Sequence, residues 1–295
     1  MTQQILRNQE HTSEQKTRGD RRGRPSAPIG VFDSGAGGLT ILADLRKQLP
    51  HEHFVFFGDT LNNPYGPRTD AEVRELAQLA TRFLLEQDVK MIVVACNTAS
   101  QAALETLRMA FPQLPFVGVV PAVKPAARLS QKRRIGVVAT NGSVKAAYLQ
   151  NLIATHAAGV EVAVAACPEL VTLVEQGRIE GPEVDVILRQ SLRPVLEKDI
   201  DVLVLGCTHF PALRLAIEKI VGENVQVIDS GSAIARRTQW VLETEELLRP
   251  AEQEERGTVQ LWSSGDATAF QRTASVILGY PVTVTQAKNY PQVSG

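Results

Sequence analysis

The chain has 295 residues, 44% hydrophobic and 21% charged, with a formal net charge of −1. That length supports one large or two medium domains with working cores, and the balanced charge gives no overall steering toward nucleic acid or a membrane surface. The longest apolar runs, such as Met91 to Ala95 and Val202 to Leu205, fall far short of the roughly 20 residues that cross a bilayer.

Residues 1 to 27 have almost no apolar content and end in the basic run Arg18-Gly-Asp-Arg21-Arg22-Gly-Arg24-Pro25, a composition that predicts a disordered basic arm. The N-terminus lacks the apolar core of a signal peptide, so a cytoplasmic location is the default expectation. A first strand is predicted at Ile29 to Phe32, followed by Asp33-Ser34-Gly35-Ala36-Gly37-Gly38. A carboxylate, a hydroxyl and turn amides then sit at the C-terminal sheet edge, where open α/β sheets bind ligands. The third glycine of a dinucleotide loop is Thr40 here, a weak match. Strands follow at His53 to Phe57, Met91 to Ala95 and Phe116 to Val119, with helices over Asp70 to Gln87 and Ala99 to Phe111. The loop Asn62 to Arg68, carrying Tyr65 and Gly66, has the composition of a binding loop or lid.

After a boundary near Pro121 to Pro125, strands are predicted at Ile135 to Ala139, Val160 to Ala165, Val202 to Leu205 and Val225 to Ile228. Helices are predicted over Ser143 to His156 and Pro182 to Glu197. Such alternation indicates βαβ units and parallel sheets. Asp229-Ser-Gly again reads as strand end and helix start, with a return to the first half after it. The expected organisation is an arm at 1–27, a first domain of 28–121 plus 231–285, a second domain of 122–230, and a weakly ordered tail at 286–295.

The two halves repeat each other. Met91-Ile-Val-Val-Ala-Cys96-Asn97-Thr98 matches Val202-Leu-Val-Leu-Gly-Cys207-Thr208-His209, and Ile29 to Gly35 matches Ile135 to Asn141. The interval from isoleucine to cysteine is 67 residues in one copy and 72 in the other, too long for a solenoid repeat. Two pseudo-symmetric α/β domains facing a cleft fit this pattern, each delivering a thiol on a strand-to-helix turn. Free helix N–H groups and the dipole are expected to lower the Cys96 pKa and make the thiol a usable base. His209 is placed to hold a proton beside Cys207. Cys167 has no partner motif and is assigned to packing. Three cysteines, an odd and sparse set, argue for reduced thiols rather than a disulfide framework.

Taken together, Asp33-Ser34-Gly35, Pro64-Tyr65-Gly66, Cys96-Asn97-Thr98, Cys207-Thr208-His209 and the stretch from Cys167 to Glu175 resemble the glutamate racemases of the cofactor-independent aspartate/glutamate racemase family. The resemblance runs in order from Ile29 to the Asp229 segment and beyond. It implies two three-layer α/β/α domains with the active site in the interdomain cleft, and interconversion of L- and D-glutamate with no cofactor and no metal, supplying D-glutamate for peptidoglycan. It assigns Cys96 and Cys207 as the acid–base pair, assisted by Asp33 on one side and by His209 and Glu175 on the other. Substrate contacts are carried over to Asp33, Ser34, Tyr65, Gly66, Asn97, Thr98, Thr208 and His209, and Thr140, Asn141 and Ser143 join the pocket. Ser143 stands where a second threonine is usual. The implied partners are glutamate and a second copy of the chain, with no membrane. A contact of the basic arm with nucleic acid or gyrase is a secondary expectation that salt would weaken. Alternatives are an aspartate or hydantoin racemase of the same fold, a cysteine hydrolase or a zinc site on Cys96, Cys207 and His209, and a non-enzymatic binding protein.

Overall fold

A computed structural model describes residues 24–250 and 255–293. In chain order the elements are β1 (Ile29–Asp33), α1 (Leu39–Gln48), β2 (Phe54–Gly58), α2 (Asp70–Glu86), β3 (Met91–Val94), α3 (Asn97–Ala110), β4 (Phe116–Gly118) and α4 (Val123–Leu129). They continue as β5 (Arg134–Ala139), α5 (Asn141–Lys145), α6 (Ala147–His156), β6 (Glu161–Ala166), α7 (Pro168–Glu175), α8 (Pro182–Leu196) and β7 (Val202–Leu205). A 3-10 turn (Phe210–Leu213), α9 (Arg214–Val221), β8 (Gln226–Ile228), α10 (Gly231–Thr244), β9 (Val259–Ser263), α11 (Ala267–Leu278) and β10 (Val284–Gln286) complete the chain.

These elements build two sheets, ordered β10-β9-β2-β1-β3-β4 and β6-β5-β7-β8, and every pairing in both is parallel. The duplication is visible in the topology: β2-β1-β3-β4 and β6-β5-β7-β8 follow the same order. Parallel strands are covered on both faces, which is why they read as continuous apolar runs. In the larger sheet, Val31, Phe54, Phe56 and Val93 pack under α1, α10 and α11, while Phe32, Val55, Phe57 and Val94 pack under α2 and α3. In the smaller one, Val138, Leu203 and Leu205 face α7 and α8, and Ile135, Val137 and Val204 face α4 and α6. Both units are therefore three-layer α/β/α structures, the expected fold class.

Several expectations change. The disordered arm expected over residues 1–27 does not extend that far: Ala27 is buried and bonds Arg24 O through its N–H, and Lys90 Nζ donates to Pro25 O; the rest of the arm lies outside the described residues, and with it the nucleic-acid or gyrase contact. The helix expected over Ser143 to His156 is two helices, because Thr140 caps α5 through the Ser143 N–H and Ala146 is extended between them. β9 and β10, absent from the sequence reading, extend the first sheet beyond β2.

The tail at 286–295 was expected to be weakly ordered. As far as Val293 it is instead a strap. Ala287 is buried, and the Tyr290 ring lies 4.9 Å from that of Phe57. Asn62 Nδ2 donates to Pro291 O at 3.2 Å and Val293 N donates to Asn62 Oδ1 at 2.8 Å. Aromatic burial and paired backbone polar groups together outweigh the ordering entropy of these few residues.

Candidate active site between the two sheets

The C-terminal ends of β1 and β3 in one sheet, and of β5 and β7 in the other, converge on one cavity of about 430 Å³. Cys96 and Cys207 both line it, with Ser34, Tyr65, Gly66, Asn97, Thr98, Thr140, Asn141, Glu175, Thr208 and His209. Asp33 and Ser143, expected to touch substrate, lie behind this lining. The Asp33 Oδ2 atom accepts the Gly38 N–H at 2.8 Å, and Ser143 is spent on Thr140, whose hydroxyl lies 3.1 Å from its Oγ. Tyr65 contributes to the wall, and its hydroxyl donates to Asp59 Oδ2 at 2.6 Å. Asp59, which the sequence did not reveal, is a buried anchor that also accepts from Asn62 and Ser264.

Cys96 is itself the N-cap of α3: its sulfur accepts the Ala99 N–H at 3.5 Å and donates to Ser34 Oγ at 3.6 Å. The helix N-terminus was expected to lower its pKa. Burial, followed by the nearby Asp33 carboxylate, pushes the thiol well above its ordinary range instead, outweighing the Ala99 and Ser34 bonds. Asp33 is fully buried with Oδ1 unpartnered. Burial raises its pKa against the lowering influence of His209 and of the Gly38 amide.

The second thiol has different company. Cys207 Sγ lies 3.6 Å from His209 Nδ1, and His209 Nε2 lies 2.6 Å from Glu175 Oε1. Burial works to lower the His209 pKa, but bonds and charge from Cys207 and Glu175 hold it well above its ordinary value. Burial likewise opposes ionisation of Glu175, and the His209 and Ala36 contacts overcome it, so that carboxyl stays below its ordinary value. Cys167 is buried packing, as expected, its thiol pushed up to about 12 by burial.

Residues of the larger sheet's unit hold this Cys207–His209–Glu175 cluster in place. Ala36 N donates to Glu175 Oε1 at 2.9 Å, Thr40 Oγ1 to Thr208 O at 2.9 Å, and Thr273 Oγ1 to Glu175 O at 2.9 Å. The glycine turn exists for this approach: a Cβ on Gly35 would collide with Glu175 Oε1, and one on Gly37 with the His209 ring. The cavity wall also carries two buried polar atoms with no partner, Asn97 Nδ2 and Asn63 Oδ1. Asn63 was not singled out in the sequence; only its place in a turn-rich loop hinted at it. Among the described residues, no group of three His, Cys, Asp or Glu side chains is arranged to hold a metal ion. Among the same described residues, no helix is long and apolar enough to cross a membrane.

Fold and site define a class: an α/β protein with duplicated parallel sheets that presents one thiol from each sheet to a shared cavity. The description of Asp/Glu/Hydantoin racemase matches residues 42–238 of the chain. A glutamate racemase of Ectopseudomonas mendocina is 42% identical over 255 residues, 86% of this chain and 95% of that protein. The glutamate racemase isoform structure from Bacillus anthracis has a TM-score of 0.80 at 34% identity, covering 89% of this chain and 98% of that one. Escherichia coli glutamate racemase, solved with L-glutamate and the activator UDP-MurNAc-ala, has a TM-score of 0.78 at 34% identity, over 88% and 97%. The chain belongs to the Asp/Glu/Hydantoin racemase family and is an amino-acid racemase, an isomerase. That membership displaces the hydrolase, zinc-site and binding-protein alternatives.

Proposed function

We propose that the chain interconverts L- and D-glutamate by a two-base transfer at Cα, supplying D-glutamate for peptidoglycan. The observation that carries the mechanism is the pair of thiols, one from the end of β3 and one from the end of β7, lining a single cavity. Inverting Cα requires a base on one face and an acid on the other, and two thiols held on separate sheets meet that need without a cofactor. In one direction Cys207 takes the Cα proton as thiolate and the Cys96 thiol returns one to the opposite face; in the other the roles exchange.

The charge that develops on the substrate carboxylate needs donors aimed at it. Thr98, Thr140, Thr208 and Ser34 supply hydroxyls, and Asn97 Nδ2 supplies an uncommitted amide donor. Asn63 Oδ1 is an uncommitted acceptor suited to an ammonium. A donor and an acceptor left open in one cavity match the two charged groups of an α-amino acid. The homologues favour glutamate over aspartate. Assembly as a homodimer is part of the same reading and is checked by light scattering.

The test follows optical rotation of L-glutamate in D₂O with no added cofactor. Loss of rotation with deuterium entering Cα is expected. Cys96→Ala and Cys207→Ala are each expected to lower kcat by at least about 10²–10⁴-fold. Racemisation of aspartate in place of glutamate would assign the sibling activity, and retained activity in either variant would end the two-thiol mechanism.

A further inference from the structure

Glu175 belongs to two cavities. Besides the substrate cavity it lines a second, of about 330 Å³, with Thr60, Leu61, Ala269, Phe270 and Thr273 among its other walls. Among the described residues, no other is shared between the two linings. The chain Cys207 Sγ, His209 Nδ1, His209 Nε2, Glu175 Oε1, with gaps of 3.6 and 2.6 Å, therefore ends on the residue that both linings share. Cys96 has no counterpart among the described residues. Its polar contacts are Ser34 and Ala99, and Asp33 behind it lines neither cavity and is fully buried.

The geometry points to a proton port: Glu175 and the second cavity connect the Cys207–His209 pair, but not Cys96, to solvent while glutamate fills the cleft. The port rests on the two-thiol reading above and adds a route to it. Each turnover changes the protonation of Cys207, and the port keeps the charge of the pair constant. When the thiolate takes the Cα proton, the C–H bond breaks and an S–H bond forms. The cationic His209 then gives its Nε2 proton to Glu175 Oε1, and the carboxyl passes it to water in the second cavity. One proton has entered the pair and one has left. In the opposite direction Cys207 gives up its proton and His209 recovers one through Glu175. Nothing is oxidised or reduced; the Cys207 thiol hands its proton to the now neutral His209 to restore the starting pair, and Cys96, left as thiolate after protonating Cα, regains its proton from water once product leaves the cleft.

At low substrate the empty cleft is itself open to water, and the pair equilibrates without the port. At saturation the cleft is occupied, and only the second cavity serves. Plugging that cavity should therefore lower kcat and spare kcat/KM. Ala269→Leu and Leu61→Phe place bulk there from two different walls, neither being a residue assigned to substrate or acid–base chemistry; if one fails to fold, the other carries the test. With wild type racemising glutamate, the expected result is a several-fold fall in kcat, an unchanged kcat/KM and a larger solvent deuterium effect on kcat. The double variant with Glu175→Gln should be no slower than Glu175→Gln alone, because both changes cut one route. Folded plug variants with wild-type kcat, or with kcat and kcat/KM falling together, would overturn the port and leave the two-thiol reading standing. A wild type inert toward glutamate would overturn that reading instead.

Discussion

The two thiols occupy equivalent places, after β3 and after β7, yet their surroundings share almost nothing. Around Cys96 are a serine hydroxyl, one helix amide and a buried carboxyl group, with no cation in hydrogen-bond contact. Beside Cys207 stands a histidine that Glu175 and Cys207 keep protonated against its own burial. Duplication of the strand-to-helix turn fixes where the sulfurs sit. Which of them holds a proton at rest is decided by neighbours that were not duplicated. On the two-thiol reading proposed above the sulfurs need different protonation, and their neighbours differ accordingly: burial and the Asp33 carboxylate hold the proton on Cys96, whereas Cys207 Sγ lies 3.6 Å from His209 Nδ1.

The largest effect expected from that difference is in alkylation of the free protein. Thiolate is the nucleophile, and each pKa unit between two thiols is about a tenfold difference in thiolate fraction. Both cysteines are 5% exposed, so access is matched. Iodoacetamide followed by peptide mass spectrometry should show Cys207 modified faster than Cys96, whose burial-raised pKa leaves little thiolate, and His209→Asn should narrow the gap. Equal rates in the unaltered protein would break the comparison. Next in size is Gly37→Ala, whose new Cβ would strike the His209 ring. The ring must move from Cys207 or Glu175, and overpacking of this kind costs about 1–3 kcal/mol. Both a lower melting temperature and a fall in kcat are expected, while Gly66→Ala, whose Cβ would stand 3.5 Å from Thr140, should be much milder.

The sequence was legible where one physical rule dominates. Strands buried on both faces leave unbroken apolar runs, so β1, β3, β5 and β7 and the thiols at their ends could be read within a residue or two. Glu175 carried no such signal: its meaning comes from Ala36, Asn63 and His209, 34 to 139 positions away in the chain, and only family resemblance singled it out. Tyr65 was legible as a pocket residue but not in orientation, because its hydroxyl is fixed by Asp59. β9 and β10 are partly exposed strands at and beside a sheet edge, where the apolar run that marks a central strand is diluted.

The strap over Asn62 to Arg68 sharpens the comparison on the Cys96 side, because this loop supplies Tyr65 and Gly66 to the cavity wall. Beyond the Asn62 bonds, Arg68 Nη1 donates to Val293 O at 3.3 Å. Ending the chain at Gln286 should raise KM for glutamate several-fold with a smaller change in kcat, since the loop shapes the cavity and carries neither thiol. A proportional loss of kcat in steady-state kinetics would mean that the loop also orders the acid–base groups.

The smallest effects expected are in the pH dependence of stability, where the two walls should differ in sign. His209 has a raised pKa in the folded chain, so its contribution is complete below the ordinary value of 6.5 and is lost as pH rises through the raised one. Glu175 has a lowered pKa, so its contribution is complete above 4.5 and is lost as pH falls through the lowered one. The Cys207 wall is thus best stabilised between these two ordinary values, and Glu175→Gln should lower the melting temperature most at about pH 5 to 6. Asp33 is the opposite case. Burial raises its folded pKa above 3.8, so whatever it contributes is present in acid and is lost as pH rises through the raised value. Asparagine keeps the acceptor for Gly38 and removes the buried charge, so Asp33→Asn should hold or raise the melting temperature by up to a few degrees, increasingly toward neutral pH. Thermal melts of both variants between pH 5 and 8 decide it: shifts of opposite sign fit an ionic wall facing a neutral one, and parallel losses would mean that both carboxyl groups serve as ordinary ionic anchors.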